Sequence, residues 1–242
     1  MKFLYFIVLS FLFSRSVVHG TNTRYYVSLG RDCQIASSLV DFNMRRFALP
    51  FDWVLSSPFE GVIKAFEEDF EHFLDPLYLS YETNYIANNY YGFGFSHFFP
   101  MIGVPITEDI CVAGTVVDNY LDYLPAVQTT QERRIQRLKD LLSSEEVVFF
   151  IRTHINKDEA VHFVSMLNEK YPQLVFILVM VHERADLIDN WHLEKVINYY
   201  ASLRRGIGDW WNYSEWQHII NDLRDSRVIR KMILRQKIRL RR

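Results

Sequence analysis

Two almost uninterrupted apolar runs decide the fold: EEVVFFIRTH at residues 145–154 and LVFILVMVH at residues 174–182. A strand buried on both faces has a continuous run of Val, Ile, Leu and Phe, which is typical of parallel sheets covered by helices. Two further strands are predicted, RYYVSL at 24–29 and KVINYYAS at 195–202. Because amphipathic helical patterns separate these strands, the sequence predicts a three-layer α/β domain with a mainly parallel central sheet.

The segment from Asp75 to Pro125 breaks this alternation, since it is rich in Tyr, Asn and Gly. We interpret it as an irregular, aromatic-rich insertion, in which NYYGFGFSHFF at 89–99 is the most strand-like part. Aromatic residues make up 16% of the whole chain. Two interpretations stay open for this insertion: a binding surface for a flat ligand, or a locally packed part of the core.

The first twenty residues have the pattern of a targeting segment. Lys2 precedes a mostly apolar run at 3–13, and Val18 and Gly20 are small or tolerable at the −3 and −1 positions of a cleavage site. The run is shorter than the roughly 20 residues that a membrane-spanning helix needs. We therefore predict a signal peptide at 1–20 with cleavage near Gly20, and a secreted or extracytoplasmic protein. A single α/β domain would then occupy residues 21–223.

The C-terminal tail, residues 224–242, is strongly basic. It holds nine Lys or Arg residues and one acid, Asp225, whereas the whole chain has a net charge of −2. Its apolar residues fall near helical spacing, which predicts an amphipathic helix. The tail would either contact an anionic membrane or an acidic partner, or pack as a solvated helix on the acidic body. No nucleic-acid-binding module is present, so we expect no specific nucleic acid partner.

Cys33 follows the first predicted strand within SLGRDC at 28–33. Gly30 allows a sharp turn, and Asp32 is a good N-cap for a helix that begins near Cys33. The positive end of a helix favours a thiolate, which is the nucleophilic form of cysteine. A small buried residue is the alternative. Cys111 is the other cysteine, and a Cys33–Cys111 disulfide, which an oxidising compartment favours, would exclude a nucleophilic Cys33.

A nucleophilic cysteine needs a base, and histidine is the usual one because its pKa lies near neutrality. His154 and His182 each fall at the carboxyl end of a predicted strand, where ligands bind in α/β sheets. His97 lies in the aromatic insertion. The pattern leaves all three open.

Several segments together resemble a known family. They are SLGRDCQIASSL at 28–39, RRFALPFDWVLS at 45–56, FEEDFEHFLD at 66–75 and FGFSHFF at 93–99. In this order they are similar to the bacterial and viral family described as papain-like cysteine peptidases, which the strand with Arg152 also fits. The resemblance implies a thiol-dependent hydrolase or acyl transferase with a peptide or other acyl substrate. Cys33 would be its nucleophile, His97 its base and Asp52 its orienting carboxylate. We expect the substrate to contact three further residues: Arg152, Trp53 and His154.

Two other functions remain open. The chain would be a non-catalytic binding module if the insertion and Arg152 recognised a polar or glycan ligand. A nucleophile directly after the first strand also resembles esterases of the SGNH type, although their serine motif is absent. The sequence has no metal-ligand spacing and no phosphate-binding glycine loop, so we expect neither a metal nor a cofactor.

Overall fold

The computed structural model describes residues 23–104, 114–182, 191–201 and 213–241. The predicted signal peptide at 1–20 lies outside the described residues. The strands are β1 Arg24–Ser28, β2 Val54–Ser56, β3 Leu79–Glu82, β4 Tyr85–Asn88, β5 Phe93–Phe95, β6 Val147–Thr153, β7 Val175–His182 and β8 Val196–Tyr200. The α-helices are α1 Gln34–Asp41, α2 Glu60–Glu67, α3 Leu124–Leu142, α4 Lys157–Lys170, α5 Tyr213–Asp225 and α6 Arg227–Leu240.

The larger sheet is parallel and has the strand order β1-β6-β7-β8. The two apolar runs form its central strands, and every residue of β6 and β7 is buried. Residues of α1, α5 and the first half of α6 cover one face. Residues of α2, α3, α4 and the aromatic insertion cover the other. The predicted α/β class is therefore confirmed, with the carboxyl ends of all four strands along one edge.

Three strands of the aromatic insertion and the earlier strand β2 form a second sheet, which is antiparallel and has the order β2-β5-β4-β3. Its strands are only three or four residues long, too short for a clear period-2 pattern in the sequence. The ring of Phe51 packs at its centre, 5.8 Å from each of four other rings, those of Phe66, Phe70, Phe73 and Phe93. Much of the aromatic excess thus serves the core of the protein.

The basic tail forms a helix that packs on the body of the protein. The Ser226 hydroxyl accepts a hydrogen bond from the backbone N–H of Val228 and so caps the start of α6. Ile229 and Ile233 enter the hydrophobic cluster beneath β6 and β7. Among the described residues, no helix combines the length and apolar character needed to cross a bilayer.

Gln236 completes the sheet at the amino end of β7. The strand β8 pairs with β7 only from Leu178 onwards, so the backbone of Phe176 has no β8 partner. The buried Gln236 side chain donates to the Phe176 carbonyl at 2.9 Å and accepts from the Phe176 N–H at 3.2 Å. The Gln236 amide thus makes the two backbone hydrogen bonds that a neighbouring strand would otherwise make, and it holds α6 against the amino edge of the sheet.

The variant Gln236→Met keeps the length of this side chain but leaves the Phe176 N–H and carbonyl without their partner. We expect the free energy of unfolding to fall by about 2–4 kcal/mol, because each unsatisfied buried group costs about 1–3 kcal/mol. Urea denaturation measures the loss. The control is Gln136→Met on the exposed face of α3, which should change stability by less than about 0.5 kcal/mol. Equal effects of the two substitutions would contradict this role of Gln236.

Candidate active site

The SLGRDC and PFDW elements lie side by side. Arg31 forms a parallel bridge with Leu55, the Arg31 N–H donates to Ser56 Oγ at 2.8 Å, and the Ser56 N–H donates to the Arg31 carbonyl at 3.3 Å. Gly30 makes this approach possible. Its φ is +79°, and a Cβ atom there would lie 2.6 Å from Ser56 Oγ, so a larger residue would push β2 away.

The strand β2 also connects these elements to the segment with His97. Val54 pairs with Phe95 across β2 and β5, so the residues just outside this pair lie near each other. The rings of Trp53 and His97 are 6.0 Å apart and nearly perpendicular. Three of the four segments that carry the resemblance thus meet around one short strand.

Cys33 is the residue immediately before α1 and is half-buried. With Asp32 as the N-cap, the helix would begin at Cys33, but it begins one residue later, at Gln34. Asp32 still caps the start of the helix, because its Oδ1 atom accepts a hydrogen bond from the Gln34 N–H at 2.9 Å. The Cys33 carbonyl accepts the Ser37 N–H at 2.9 Å. Cys33 therefore lies at the positive end of α1, where the helix dipole favours a negative charge.

Cys33 is disulfide-bonded in this structure. The sequence contains one other cysteine, Cys111, which lies outside the described residues. A sulfur atom in a disulfide is not a nucleophile. Chemistry at Cys33 therefore requires prior reduction.

His97 is half-buried beside Trp53, and burial lowers its pKa from the ordinary value. At neutral pH the ring is therefore mostly in its neutral form. This is the form that accepts a proton from a thiol or from water.

Asp52 is fully buried and holds the turn at the start of β2. Its Oδ2 atom accepts from the Leu49 N–H at 2.9 Å and from the Arg45 guanidinium at 3.2 Å. Burial raises its pKa to about 6, although the Leu49 N–H and the charges of Arg45 and Arg134 act in the opposite direction. These contacts give Asp52 a structural role in the loop before Trp53. Orientation of His97 by Asp52 stays a prediction.

The three predicted substrate contacts lie in different environments. Arg152 is buried, and its guanidinium donates to the Leu29 carbonyl at 2.7 Å, to Ser56 Oγ at 2.6 Å and to the Ser56 carbonyl. Trp53 is only 3% exposed. His154 is exposed and adopts a positive φ of 54° directly after β6. Their contact with a substrate stays a prediction, and His154 is the one whose side chain is exposed.

His182 ends β7 and is only 5% exposed. Its Nε2 atom lies 3.1 Å from Asn198 Oδ1, and its ring packs edge-on against Trp191 at 5.5 Å. This histidine has a packing role at the edge of the sheet.

Ser56 and Arg45 contribute to the site but were not identified from the sequence. Ser56 Oγ accepts hydrogen bonds from both Arg31 and Arg152, and Arg45 pairs with Asp52. Only their positions within RRFALPFDWVLS could have indicated a role. Within the described ranges, no three His, Cys, Asp or Glu side chains are arranged to hold a metal ion.

The raised pKa of Asp52 predicts a pH-dependent contribution to stability. The folded state binds the proton more tightly than the unfolded state, whose pKa is near 3.8. The stabilisation is therefore complete below that value and is lost as the pH rises through about 6. Asp52→Asn cannot titrate. The stability of the wild type minus that of this variant should thus fall by up to about 3 kcal/mol between pH 4 and pH 7. Urea denaturation at several pH values measures this difference, and a constant or rising difference would contradict the assignment.

A comparison with protein-family models finds one match, over residues 24–185, to the family described as "Putative papain-like cysteine peptidase (DUF1796)". No curated protein and no solved structure matches the chain. The matched region includes β1, the Cys33 element, the antiparallel sheet, β6 and β7. It covers well over half of the sequence, so the chain belongs to this papain-like cysteine peptidase family.

Proposed function

We propose that the protein is a thiol-dependent hydrolase or acyl transferase that acts on a peptide or isopeptide bond. Cys33 is the nucleophile and His97 is the base. The observation that carries the proposal is the convergence of the Cys33 element and the His97 segment on β2, through the Arg31–Leu55 bridge and the Val54–Phe95 pair. Membership of the family supports the general kind of activity.

The proposed reaction begins with the reduced form of the protein. Two thiol groups of a reductant transfer two electrons to the disulfide of Cys33 and are themselves oxidised to a disulfide. The protein disulfide is thereby converted into two protein thiols, one of them that of Cys33. His97 then accepts the proton of the Cys33 thiol, and the sulfur attacks the substrate carbonyl. Backbone N–H groups in the first turn of α1 are the candidate donors to the oxyanion. His97 returns the proton to the leaving amine, and water or another acceptor releases the acyl group from sulfur.

The charge of Arg152 supports a thiolate at this position. Desolvation and the charge of Arg31 lower the pKa of Arg152 to about 9, and the carboxylate of Asp32 acts in the opposite direction, so the charges of Arg152 and Asp32 attract each other. The interaction is reciprocal, and the same cation stabilises negative charge at the start of α1. It thereby offsets the repulsion that Asp32 exerts on a Cys33 thiolate.

The disulfide favours a second candidate function, a non-catalytic binding module in which Cys33 is a structural cross-link. Such a module would keep the disulfide throughout its working life, and its ligand would be polar or a glycan. The buried guanidinium of Arg152 weakens this candidate, because its observed contacts are internal oxygens of Leu29 and Ser56.

A matched pair of cysteine variants separates the two functions. Cys111→Ser leaves Cys33 reduced, whereas Cys33→Ser removes the nucleophile, and both variants lack the disulfide. We expect Cys111→Ser to hydrolyse members of a fluorogenic peptide library without added reductant, and the wild type to require a reductant. Cys33→Ser should be slower by at least about a thousandfold, because no other group replaces the nucleophile.

Alkylation by iodoacetamide gives a readout that needs no substrate. At about pH 6.5 an ordinary thiol, with a pKa of about 8.5, is mostly protonated and reacts slowly. Cys33 in the Cys111→Ser variant should react at least about tenfold faster than such a thiol. Reaction at the ordinary rate, with no peptide hydrolysis, would favour the binding module. Activity in Cys33→Ser would exclude Cys33 as the nucleophile.

A second variant pair tests which histidine is the base. In the Cys111→Ser background, His97→Ala should lower the rate of peptide hydrolysis at neutral pH by about 10²–10⁴-fold, because it removes the proton acceptor. His154→Ala is the comparison, an exposed histidine at the end of β6 with a predicted substrate contact, and should lower the rate by less than about tenfold, because a single hydrogen bond contributes about 0.5–1.5 kcal/mol. A large loss in His154→Ala with none in His97→Ala would reverse the assignment.

A further inference from the structure

The helix α6 has one face that is buried against the protein body and an opposite face that is exposed. Its inner face consists of Ile229, Ile233 and Gln236, which are buried against the body. Two apolar residues one turn apart lie on the opposite face, Leu234 with 58% and Ile238 with 45% of their surface exposed. Neither is explained by packing within the protein.

Basic residues surround these two apolar side chains. The exposed ones on α6 and just after it are Arg227, Arg230, Lys231, Arg235, Arg239 and Arg241. The segment 227–242 contains no acid. Only two of these six are in ion pairs with described residues, Arg230 with Asp225 at 3.6 Å and Arg239 with Glu194 at 2.6 Å. The outer face of α6 therefore combines exposed apolar surface with a net positive charge.

We propose that the outer face of α6 docks on the surface of an anionic phospholipid membrane. An interfacial helix places its apolar side chains at the boundary between headgroups and acyl chains, while flanking Lys and Arg side chains extend to the phosphates. Leu234 and Ile238 match the first requirement and the surrounding basic residues match the second. A nucleic acid would attract the same charges but would leave Leu234 and Ile238 in water.

The position of α6 gives this docking a defined orientation. The helix lies along the amino ends of the strands, as its contacts with Phe176 near the start of β7 and with Glu194 before β8 show. Lys237 interacts with the charge of Glu146, which precedes β6. Cys33 follows the carboxyl end of β1. A membrane bound to the second half of α6 would therefore lie nearer the amino edge of the sheet than the carboxyl edge that Cys33 follows.

Partition of the full chain into lipid vesicles tests the proposal. The probe is a pair of vesicle preparations, phosphatidylcholine alone and phosphatidylcholine with phosphatidylserine. The readout is the ratio of the two partition coefficients, compared between the wild type and the variants below, because residues 1–20, with Lys2 and Arg15 beside their apolar run, are identical in all of these proteins. We expect the wild type to favour the anionic vesicles by at least about tenfold at low salt, and this preference to weaken as the salt concentration rises.

Two double variants separate charge from apolar contact. Lys231→Glu with Arg235→Glu should remove the preference for anionic vesicles, since each basic residue near such a surface contributes measurably to binding. Leu234→Ser with Ile238→Ser should lower partition into anionic vesicles by about tenfold, because these two side chains no longer enter the interface. The control is Lys157→Glu with Val161→Ser on α4, an exposed base and an exposed apolar residue, which should have no effect.

The proposal fails if the wild type shows no preference for anionic vesicles. It also fails if the serine variant binds them as well as the wild type does, because charge alone would then account for the binding. Fluorescence anisotropy with duplex DNA completes the test, and binding tighter than to the anionic vesicles would identify a polyanion site instead. All of these substitutions are on exposed surface, and circular dichroism verifies that each variant is folded. None of these measurements depends on Cys33 or on the proposed hydrolase activity.

Discussion

The buried guanidinium of Arg152 joins the two sheets at the point where the candidate site begins. It donates to the carbonyl of Leu29 at the end of β1 and to both the hydroxyl and the carbonyl of Ser56 at the end of β2, and it lies 4.9 Å from the centre of the Phe59 ring. Desolvation lowers its pKa to about 9, which still leaves it protonated at neutral pH. Its partners are neutral oxygens, so the contact is a charge-assisted hydrogen-bond network without a carboxylate. The position of Cys33 relative to β2, and through β5 that of the His97 segment, depends on this network.

The planar fork of arginine explains why this residue type is suited to the junction. Its N–H groups point along fixed directions, so one side chain binds oxygens from two separate backbone segments. Lysine would offer three donors from one point and could not span the same oxygens with equal geometry. Gly30 adds the second constraint, since a side chain there would meet Ser56 Oγ. The polar network and the absent Cβ together allow the Cys33 element to pack against β2.

The sequence predicted the parts of the fold that repeat a simple pattern over many residues. The runs in β6 and β7 are seven and eight residues long and wholly buried, so their apolar character alone identifies them. The strand β5 lies within the segment predicted as most strand-like, but the antiparallel sheet was not predicted, because three-residue strands such as β2 are too short to show a period. The residue pattern identified Cys33 and three candidate histidines, and the choice of His97 and Asp52 came only through resemblance. Its geometry rests on contacts between residues far apart in sequence, such as Arg152 with Ser56, and no local pattern encodes such a pair. The disulfide of Cys33 was an open alternative for the same reason.

The amino edge of the parallel sheet needs a hydrogen-bonding group that its strands do not supply, and this need explains which residues of α6 the fold requires. At the amino edge β7 extends beyond β8, so the fold needs a group that pairs with Phe176, and Gln236 supplies it. Ile229 and Ile233 then anchor the same helix in the core. These three inward residues satisfy the fold completely. The exposure of Leu234 and Ile238 gives the folded monomer no stability, because apolar surface left in water contributes nothing to folding. Since residues 227–242 contain bases and no acid, an anionic surface that buries both side chains accounts for features of the outer face that folding alone does not explain.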